Sequence, residues 1–339
     1  MPASIRIGLI GLGTIARTHV DALRALAEDG VAVEIAGYVG RSDAAAALGI
    51  AGRPSTLPGL LGRPDLDLIA DASPSSAHAE HAVAALAAGK GVVVEKPLAT
   101  TAADARRILD AAGPRSFGSV FAQRRFEPQH RWLHEHLTAG RLGEPVAASV
   151  TLPWWRDDAY FAAAPWRGRA PEGGVLLNQG IHSIDLLLWL LGDAVDAVGF
   201  GAARHRPGDA DDTAAGAIRF AGGALASVLA TTGTPPGSPA TLTLHTTTGT
   251  ASFRQAETVA WTFPDVPPPP TPTTAGMGAS DPRAIGHSGH VDQWRDIVAA
   301  LAEGREPAVT LRDGLRAVAV CEALTAGSPL DSVPPRILG

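Results

Sequence analysis

The stretch Ile5-Arg6-Ile7-Gly8-Leu9-Ile10-Gly11-Leu12-Gly13-Thr14-Ile15-Ala16 decides the fold. Its first six residues form an apolar run too short for a helix, and glycine ends it, which predicts a buried strand. From Thr14 to Ala27 the apolar residues recur at helical spacing, and Asp29-Gly30 stops them. Between strand and helix lies G-x-G-x-x-A, the fingerprint of a dinucleotide-binding turn. Gly11 permits the tight turn, Gly13 lets a pyrophosphate approach the backbone, and Ala16 keeps the helix close to the sheet. Thr14, Ile15 and Ala16 open a helix whose free N–H groups and partial positive charge suit an anion.

Outward from this turn the same alternation continues. Val31–Val39, Leu66–Ala72, Gly91–Glu95 and Ser116–Phe121 read as strands, with helices at Asp43–Leu48, Ser76–Ala88 and Thr100–Ala112. Regular strand–helix alternation predicts an α/β domain over residues 1–121, a doubly wound parallel sheet with helices on both faces. Beyond it the rhythm changes. Helical patterns at Glu127–Thr138 and Gly174–Leu191 are followed by short runs at Val195–Arg204, Thr213–Phe220, Ala224–Thr231, Ala240–Thr247, Thr250–Phe253 and Val259–Phe263. Turn signals such as Ala221-Gly222-Gly223 separate these runs, so hairpins and a mainly antiparallel sheet are expected, joined by Val146–Trp154. Pro264–Gly289 reads as a loop, and helices near 290–303 and 311–326 close an α+β domain over 122–339. The last helix has a path back to the first domain.

Length and composition agree and exclude other classes. At ~150 residues per domain, 339 residues suggest two domains. A net charge of −6, from 28 basic and 34 acidic side chains, argues against a nucleic-acid partner. One cysteine forms neither an internal disulfide nor a thiolate zinc cluster. No apolar run approaches the ~20 residues of a membrane span. Arg6 and the glycines interrupt the apolar start, which makes it a poor signal peptide. A soluble cytoplasmic protein with no membrane partner is the expectation.

The tip of the second strand bears on cofactor choice. An NAD site usually places Asp or Glu there for the ribose hydroxyls. The chain reads Val39-Gly40-Arg41-Ser42, offering a guanidinium and a hydroxyl to a 2′-phosphate. NADP is therefore favoured and NAD remains possible. The competing reading is a solvated Arg41, with Asp43 capping the next helix.

Two constellations carry reactive groups. Val92-Val93-Val94-Glu95-Lys96-Pro97 ends a strand, and ligands of open parallel sheets bind outside the carboxyl ends of strands. Lys96 falls there; the plain alternative is a surface Glu-Lys pair before a loop proline. In Gly173-Gly174 through Asp185, Asn178, His182 and Asp185 stand at i, i+4 and i+7 on one face of an apolar helix. His182 is fit to take or give a proton near neutral pH, or else is a satisfied core histidine. Trp154-Trp155-Arg156, Tyr160 and Trp166-Arg167 crowd the segment just before it. Their rings suit sugar C–H faces and the arginines suit hydroxyls or a carboxylate; core packing is the alternative. His287 and His290 either approach the cleft or cap the helix near 290. His130, His134 and His136 read as a solvated helix face rather than a metal site, and Cys321 as a buried structural thiol.

Taken in order, G-x-G-x-x-A, Ser73-Pro74 with His78, Gly89-Lys90 with Glu95-Lys96-Pro97, Gln123-Arg124-Arg125-Phe126, and Gly-Gly with Asn178, Gly180, His182 and Asp185 resemble the glucose–fructose oxidoreductase / inositol dehydrogenase (Gfo/Idh/MocA) family over nearly the whole chain. The resemblance implies a Rossmann domain and a second domain with an open antiparallel sheet that commonly forms the subunit interface, hence a homodimer or homotetramer. It matches Lys96 to the family's catalytic lysine and His182 to its catalytic histidine. It puts Ser73, Pro74, His78 and Glu95 on the cofactor side, Arg125 near the cleft, and Trp166-Arg167 by the nicotinamide. Asn178 stands where many members carry Asp. An amide accepts no proton, so Asn178 is expected to orient substrate, with Lys96, Arg125, Trp154, Tyr160 and His182 as its companions.

The activity implied is hydride transfer between a nicotinamide and a secondary alcohol of a sugar, sugar derivative or cyclitol. His182 would take the hydroxyl proton while Lys96 stabilises the alkoxide; no metal is expected. The alternatives are a noncatalytic dinucleotide-binding regulator and, within enzymes, an NAD-dependent nucleotide-sugar or inositol dehydrogenase.

Overall fold

The computed structural model describes residues 4–205, 208–270 and 288–326. It divides into two compact units. The first runs to Phe126 and takes in the later segment through Leu315; the rest forms the second.

The first unit alternates β1 (Ile5–Ile10), α1 (Thr14–Glu28), β2 (Val33–Val39), α2 (Ser42–Leu48), β3 (Arg53–Pro54), α3 (Leu57–Leu61), β4 (Leu68–Asp71), α4 (His78–Ala87), β5 (Gly91–Val94), α5 (Ala102–Ala111) and β6 (Gly118–Val120). Its strands form one parallel sheet in the order β3-β2-β1-β4-β5-β6. β4 and β5 are buried along their whole length, as expected of strands covered on both faces. α1 turns Ala16, His19, Val20, Leu23 and Leu26 toward the sheet at helical spacing. The two-residue edge strand β3 and the five-residue α3 are additions to the expected layout, too short to leave a periodic signal. The helix expected over Ser76–Ala88 begins with a 3₁₀ turn at Ser75–Ala77 before α4.

The second unit contains α6 (Pro128–Thr138), β7 (Pro145–Pro153), α7 (Asp158–Ala162), α8 (Ile181–Leu191), β8 (Ala194–Ala202), β9 (Thr213–Phe220), β10 (Leu225–Thr231), β11 (Thr241–Thr246), β12 (Thr250–Arg254) and β13 (Glu257–Trp261). The sheet order is β13-β12-β11-β7-β10-β9-β8. All neighbours are antiparallel except β7 and β10, which run parallel. One face packs inward, and α8 lies against it at β7. The other face leaves Val198, Phe200, Leu225 and Leu229 exposed. Register lines up Leu229, Ala215 and Phe200 in one row across three strands, so the exposed residues form a patch.

Two helices follow, α9 (Ser288–Glu303) and α10 (Leu311–Ala326). α9 belongs to the first unit, where Trp294, Ile297 and Val298 join the core between α1 and the sheet. The amide of Gln293 closes the end of β6, accepting from Ala122 N at 3.0 Å and donating to Val120 O at 2.8 Å.

Candidate active site

The carboxyl ends of adjacent strands gather the residues expected to hold a dinucleotide. Gly11 has φ +84°, and a Cβ there would stand 2.5 Å from Ala72 O, so the turns after β1 and β4 meet only because this residue is glycine. A Cβ on Gly13 would meet nothing within 4 Å. Gly13 caps α1 with no side-chain hydrogen bond, and the first turn of α1 carries no acid. Open space over uncapped helix N–H groups fits a pyrophosphate. Thr14 and Ile15 open α1, and Ala16 is fully buried against the sheet. Arg41 and Ser42 follow β2; both are exposed, and the Arg41 guanidinium lies 3.3 Å from Asp43.

After β4, a hydrogen-bond network sets the loop. Asp71 Oδ1 accepts from Ser73 N at 3.0 Å, and His81 Nδ1 stands 3.0 Å from Asp71 Oδ2. Burial pushes the Asp71 carboxyl up, but His81, His78 and Ser73 bring it below its ordinary value. The hydrogen bond to Asp71 raises the His81 pKa. His78 is buried and spans two loops, with Nδ1 2.8 Å from Pro97 O and Nε2 3.0 Å from Ser73 O. It therefore braces Ser73-Pro74 and Lys96-Pro97 from behind and presents no free ring edge to a ligand.

Glu95 likewise faces inward. His19 Nε2 lies 3.0 Å from its Oε1, His290 Nε2 lies 3.8 Å from the same oxygen, and Lys96 N donates to Oε2 at 2.9 Å. Trp294 Nε1 donates to His19 Nδ1 at 3.1 Å. An indole N–H only donates, so His19 Nδ1 is the acceptor and the Nε2 hydrogen points to Glu95. Burial alone would raise the Glu95 pKa; the two histidines hold it well below the usual carboxylate range. His290 thus belongs to this buried cluster in α9, while His287 lies outside the described residues. Lys96 itself is half-buried at the end of β5, and its bond to Pro97 is cis.

Arg125 goes elsewhere in the first unit. It is buried, 3.3 Å from Asp313, whose carboxylate also accepts from Thr310 N. The guanidinium ties the end of β6 to the start of α10, a different placement from the expected substrate contact.

The second unit holds a cavity of about 500 Å³. Tyr160, Arg167, Asn178, Gln179, Asp211 and Thr232 contribute polar groups to its wall. Gln179 Nε2 donates to Tyr160 Oη at 2.7 Å, and Arg167 Nη1 to Tyr160 O at 2.7 Å. The Arg167 guanidinium lies 3.9 Å from the Tyr160 ring centre and 5.5 Å from that of Trp166. Arg156 sits over Trp154 at 4.8 Å and Tyr160 at 5.4 Å. Trp154 is buried and outside the lining, so the expectation of a sugar against its ring is corrected: Arg156 occupies the ring face.

The helix expected over Gly174–Leu191 starts as a π turn, Leu176–Gly180, and continues as α8. Such turns recur at functional sites. Asn178 sits in this turn on the cavity wall, and His182 follows half-buried on the first turn of α8. Asp185, expected on the same polar face, is buried.

The three α6 histidines also differ from expectation. His130 is buried 3.2 Å from Glu127, and His134 stacks on Trp189 at 3.8 Å, because this helix face packs on the unit rather than facing solvent. Among the described residues no group of His, Cys, Asp and Glu is arranged to hold a metal ion, and no helix is long and apolar enough to cross a membrane. Cys321 is buried, and burial followed by the Asp211 charge pushes its thiol pKa up.

Residues 5–116 match the profile of the oxidoreductase family with an NAD-binding Rossmann fold, and residues 130–252 that of the GFO/IDH/MocA C-terminal domain. A 1,5-anhydro-D-fructose reductase of Ensifer adhaerens is 33% identical over 65% of this chain and 67% of its own length. The chain belongs to the Gfo/Idh/MocA family. It is an oxidoreductase with a Rossmann nucleotide-binding domain. An inositol 2-dehydrogenase of Saccharopolyspora erythraea is 31% identical over 57% of the chain and 55% of that protein, so the match spans just over half of that relative. Among solved structures, the WlbA dehydrogenase of Bordetella pertussis, in complex with NADH and UDP-GlcNAcA, superposes with a TM-score of 0.85. It shares 27% identity over 98% of this chain and 99% of that one.

Sequence reasoning missed Asp211, Thr232 and Gln179 in the cavity and His19 and Trp294 behind Glu95. The adjacent pair Asp211-Asp212 just before a strand was the one available signal for the first. Nothing in spacing links residues 19, 95 and 294.

Proposed function

We propose that the chain is an NADP-preferring dehydrogenase of a secondary alcohol on a sugar, sugar derivative or cyclitol, working in the cytoplasm. The observation that carries this reading is the second unit's cavity, whose polar wall begins one turn before His182. Its size suits a small polyhydroxylated ligand.

His182 takes the substrate hydroxyl proton in oxidation and returns it in reduction. Lys96 stabilises the developing alkoxide as a hydrogen-bond donor. Asn178 orients the substrate from the cavity wall. Asn178 lies in the π turn, four residues before His182 on the first turn of α8. When bound, the nicotinamide supplies the hydride acceptor. Gly11, Gly13 and the start of α1 hold its pyrophosphate.

NADP preference rests on the absence of a carboxylate at the tip of β2. The Arg41–Asp43 pair is exposed, worth at most ~1 kcal/mol, and readily exchanged for a 2′-phosphate. The NADH bound by the Bordetella protein favours NAD as the second reading. The exposed apolar face of the β8–β9–β10 sheet supports a homo-oligomer through that face.

The test is a sugar and polyol screen read at nicotinamide absorbance with both cofactors. Turnover is expected on at least one polyol, with kcat/KM higher for NADP. Lys96→Ala and His182→Ala should each lower kcat by about 10²-fold or more. Wild-type turnover in both variants would remove the proton-handling assignment, and higher kcat/KM with NAD would remove the cofactor preference.

A further inference from the structure

Asp211 and Asp212 are neighbours in sequence but have different surroundings. Asp212 is buried and its carboxylate is spent on the backbone, accepting from Arg204 N at 2.9 Å and His205 N at 2.7 Å, and from the Thr213 hydroxyl at 2.9 Å. Asp211 lines the same cavity wall as Asn178 and Asp212. Val175 N donates to the Asp211 carbonyl at 2.9 Å and shares its hydrogen with Oδ2 at 3.2 Å, which holds Asp211 at the start of the helical stretch carrying Asn178 and His182. A Cβ on Gly174 would stand 2.9 Å from Asp211 Oδ1, so glycine leaves that oxygen room.

We propose, building on the dehydrogenase reading, that Asp211 recognises substrate. Its carboxylate accepts hydrogen bonds from vicinal hydroxyls of a polyol in the cavity and supplies there the charge that Asn178 lacks. A carboxylate presents two oxygens and no hydrogen, so it discriminates a diol from a deoxy analogue that leaves it unpaired.

The energetics agree. Burial, with a smaller part from Asp212, raises the Asp211 pKa against the Val175 hydrogen bond. A carboxyl whose pKa is raised on folding costs stability once pH exceeds that value. The charge is thus held at the expense of the fold, as expected of a recognition group. The described ionisable groups around it are Asp158, Arg167, Arg169 and Asp212 in the same cavity, and Cys321 on α10.

The experiment compares wild type with Asp211→Asn on myo-inositol, glucose and their monodeoxy analogues, with both cofactors. The asparagine oxygen still accepts from Val175 N, and only the charge is lost. The expected result is a KM raised about 10-fold or more, kcat nearly unchanged, and a melting temperature at pH 7 equal to or above wild type. In wild type KM should rise as pH falls through the Asp211 ionisation, and this limb should vanish in the variant. Unchanged KM and pH profile, or a lower melting temperature with unchanged KM, would overturn the role of Asp211. A wild type that turns over no compound of the sugar and polyol screen would instead defeat the dehydrogenase reading, and this inference with it.

Discussion

Asp71 and His81 form a pair whose two shifts favour the charged forms. His81, raised above its ordinary 6.5, contributes stability that is complete below that value and is lost as pH rises through the folded pKa. Asp71, lowered from 3.8, contributes above that value and loses its share as pH falls through the folded pKa. His81→Gln should therefore destabilise by roughly 1 kcal/mol between these limits, with the difference from wild type shrinking as pH rises through the folded His81 pKa. Thermal melts of both proteins from pH 4 to 9 check this; a gap that widens with pH would contradict it. At this scale legibility was uneven. Lys96 and His182 stood out because each follows a local motif. Arg125 stood out equally and proved to be an ion-pair partner of Asp313, since a motif gives a residue's position but not which way it faces. His19 and Glu95 meet only through folding.

The helix α9 shows how one element secures another. It reaches α1 through Trp294, whose indole is fully buried and bonds His19. Trp294→Ala should cost about 3–5 kcal/mol, and Trp294→Phe about 1–3 kcal/mol, since it leaves His19 Nδ1 without its donor. Urea unfolding with tryptophan-independent circular dichroism measures both; equal losses would place all of the effect in the hydrogen bond and none in packing. Elements with clear periods were read closely from sequence: β1 and β9 span the expected residues and α10 starts where expected. The π turn was not, because an extra residue in one turn leaves the apolar period nearly intact. The parallel pairing of β7 with β10 was also hidden, because turn lengths reveal only hairpins between consecutive strands.

At the scale of the molecule, the exposed sheet face bears most directly on assembly. Phe200 is 78% exposed in a row with Ala215 and Leu229. Apolar surface of this kind on a sheet usually covers another surface. Light scattering after gel filtration should find a dimer or tetramer for wild type, and Phe200→Asp with Leu229→Asp should shift it toward monomer without changing the circular dichroism. A monomeric wild type would show that the face stays bare. Composition and rhythm change near residue 121, five residues before the first unit's opening segment ends at Phe126. The return of a later segment to the first unit was not legible, since the apolar face of α9 does not say which core it joins.

That return sets an order on biosynthesis. The first 126 residues leave the ribosome with the dinucleotide sheet drawn but its core lacking Trp294 and its last strand lacking Gln293. Some 190 residues separate Phe126 from Leu315, which at about 5–20 residues per second is roughly 10–40 s of translation. During that interval residues 127–286, the larger part of the second unit, are made, while their predecessor waits. The domain encoded first therefore waits for a segment made after most of the second unit, and a nascent chain halted before α9 would carry a nucleotide fold without its keystone.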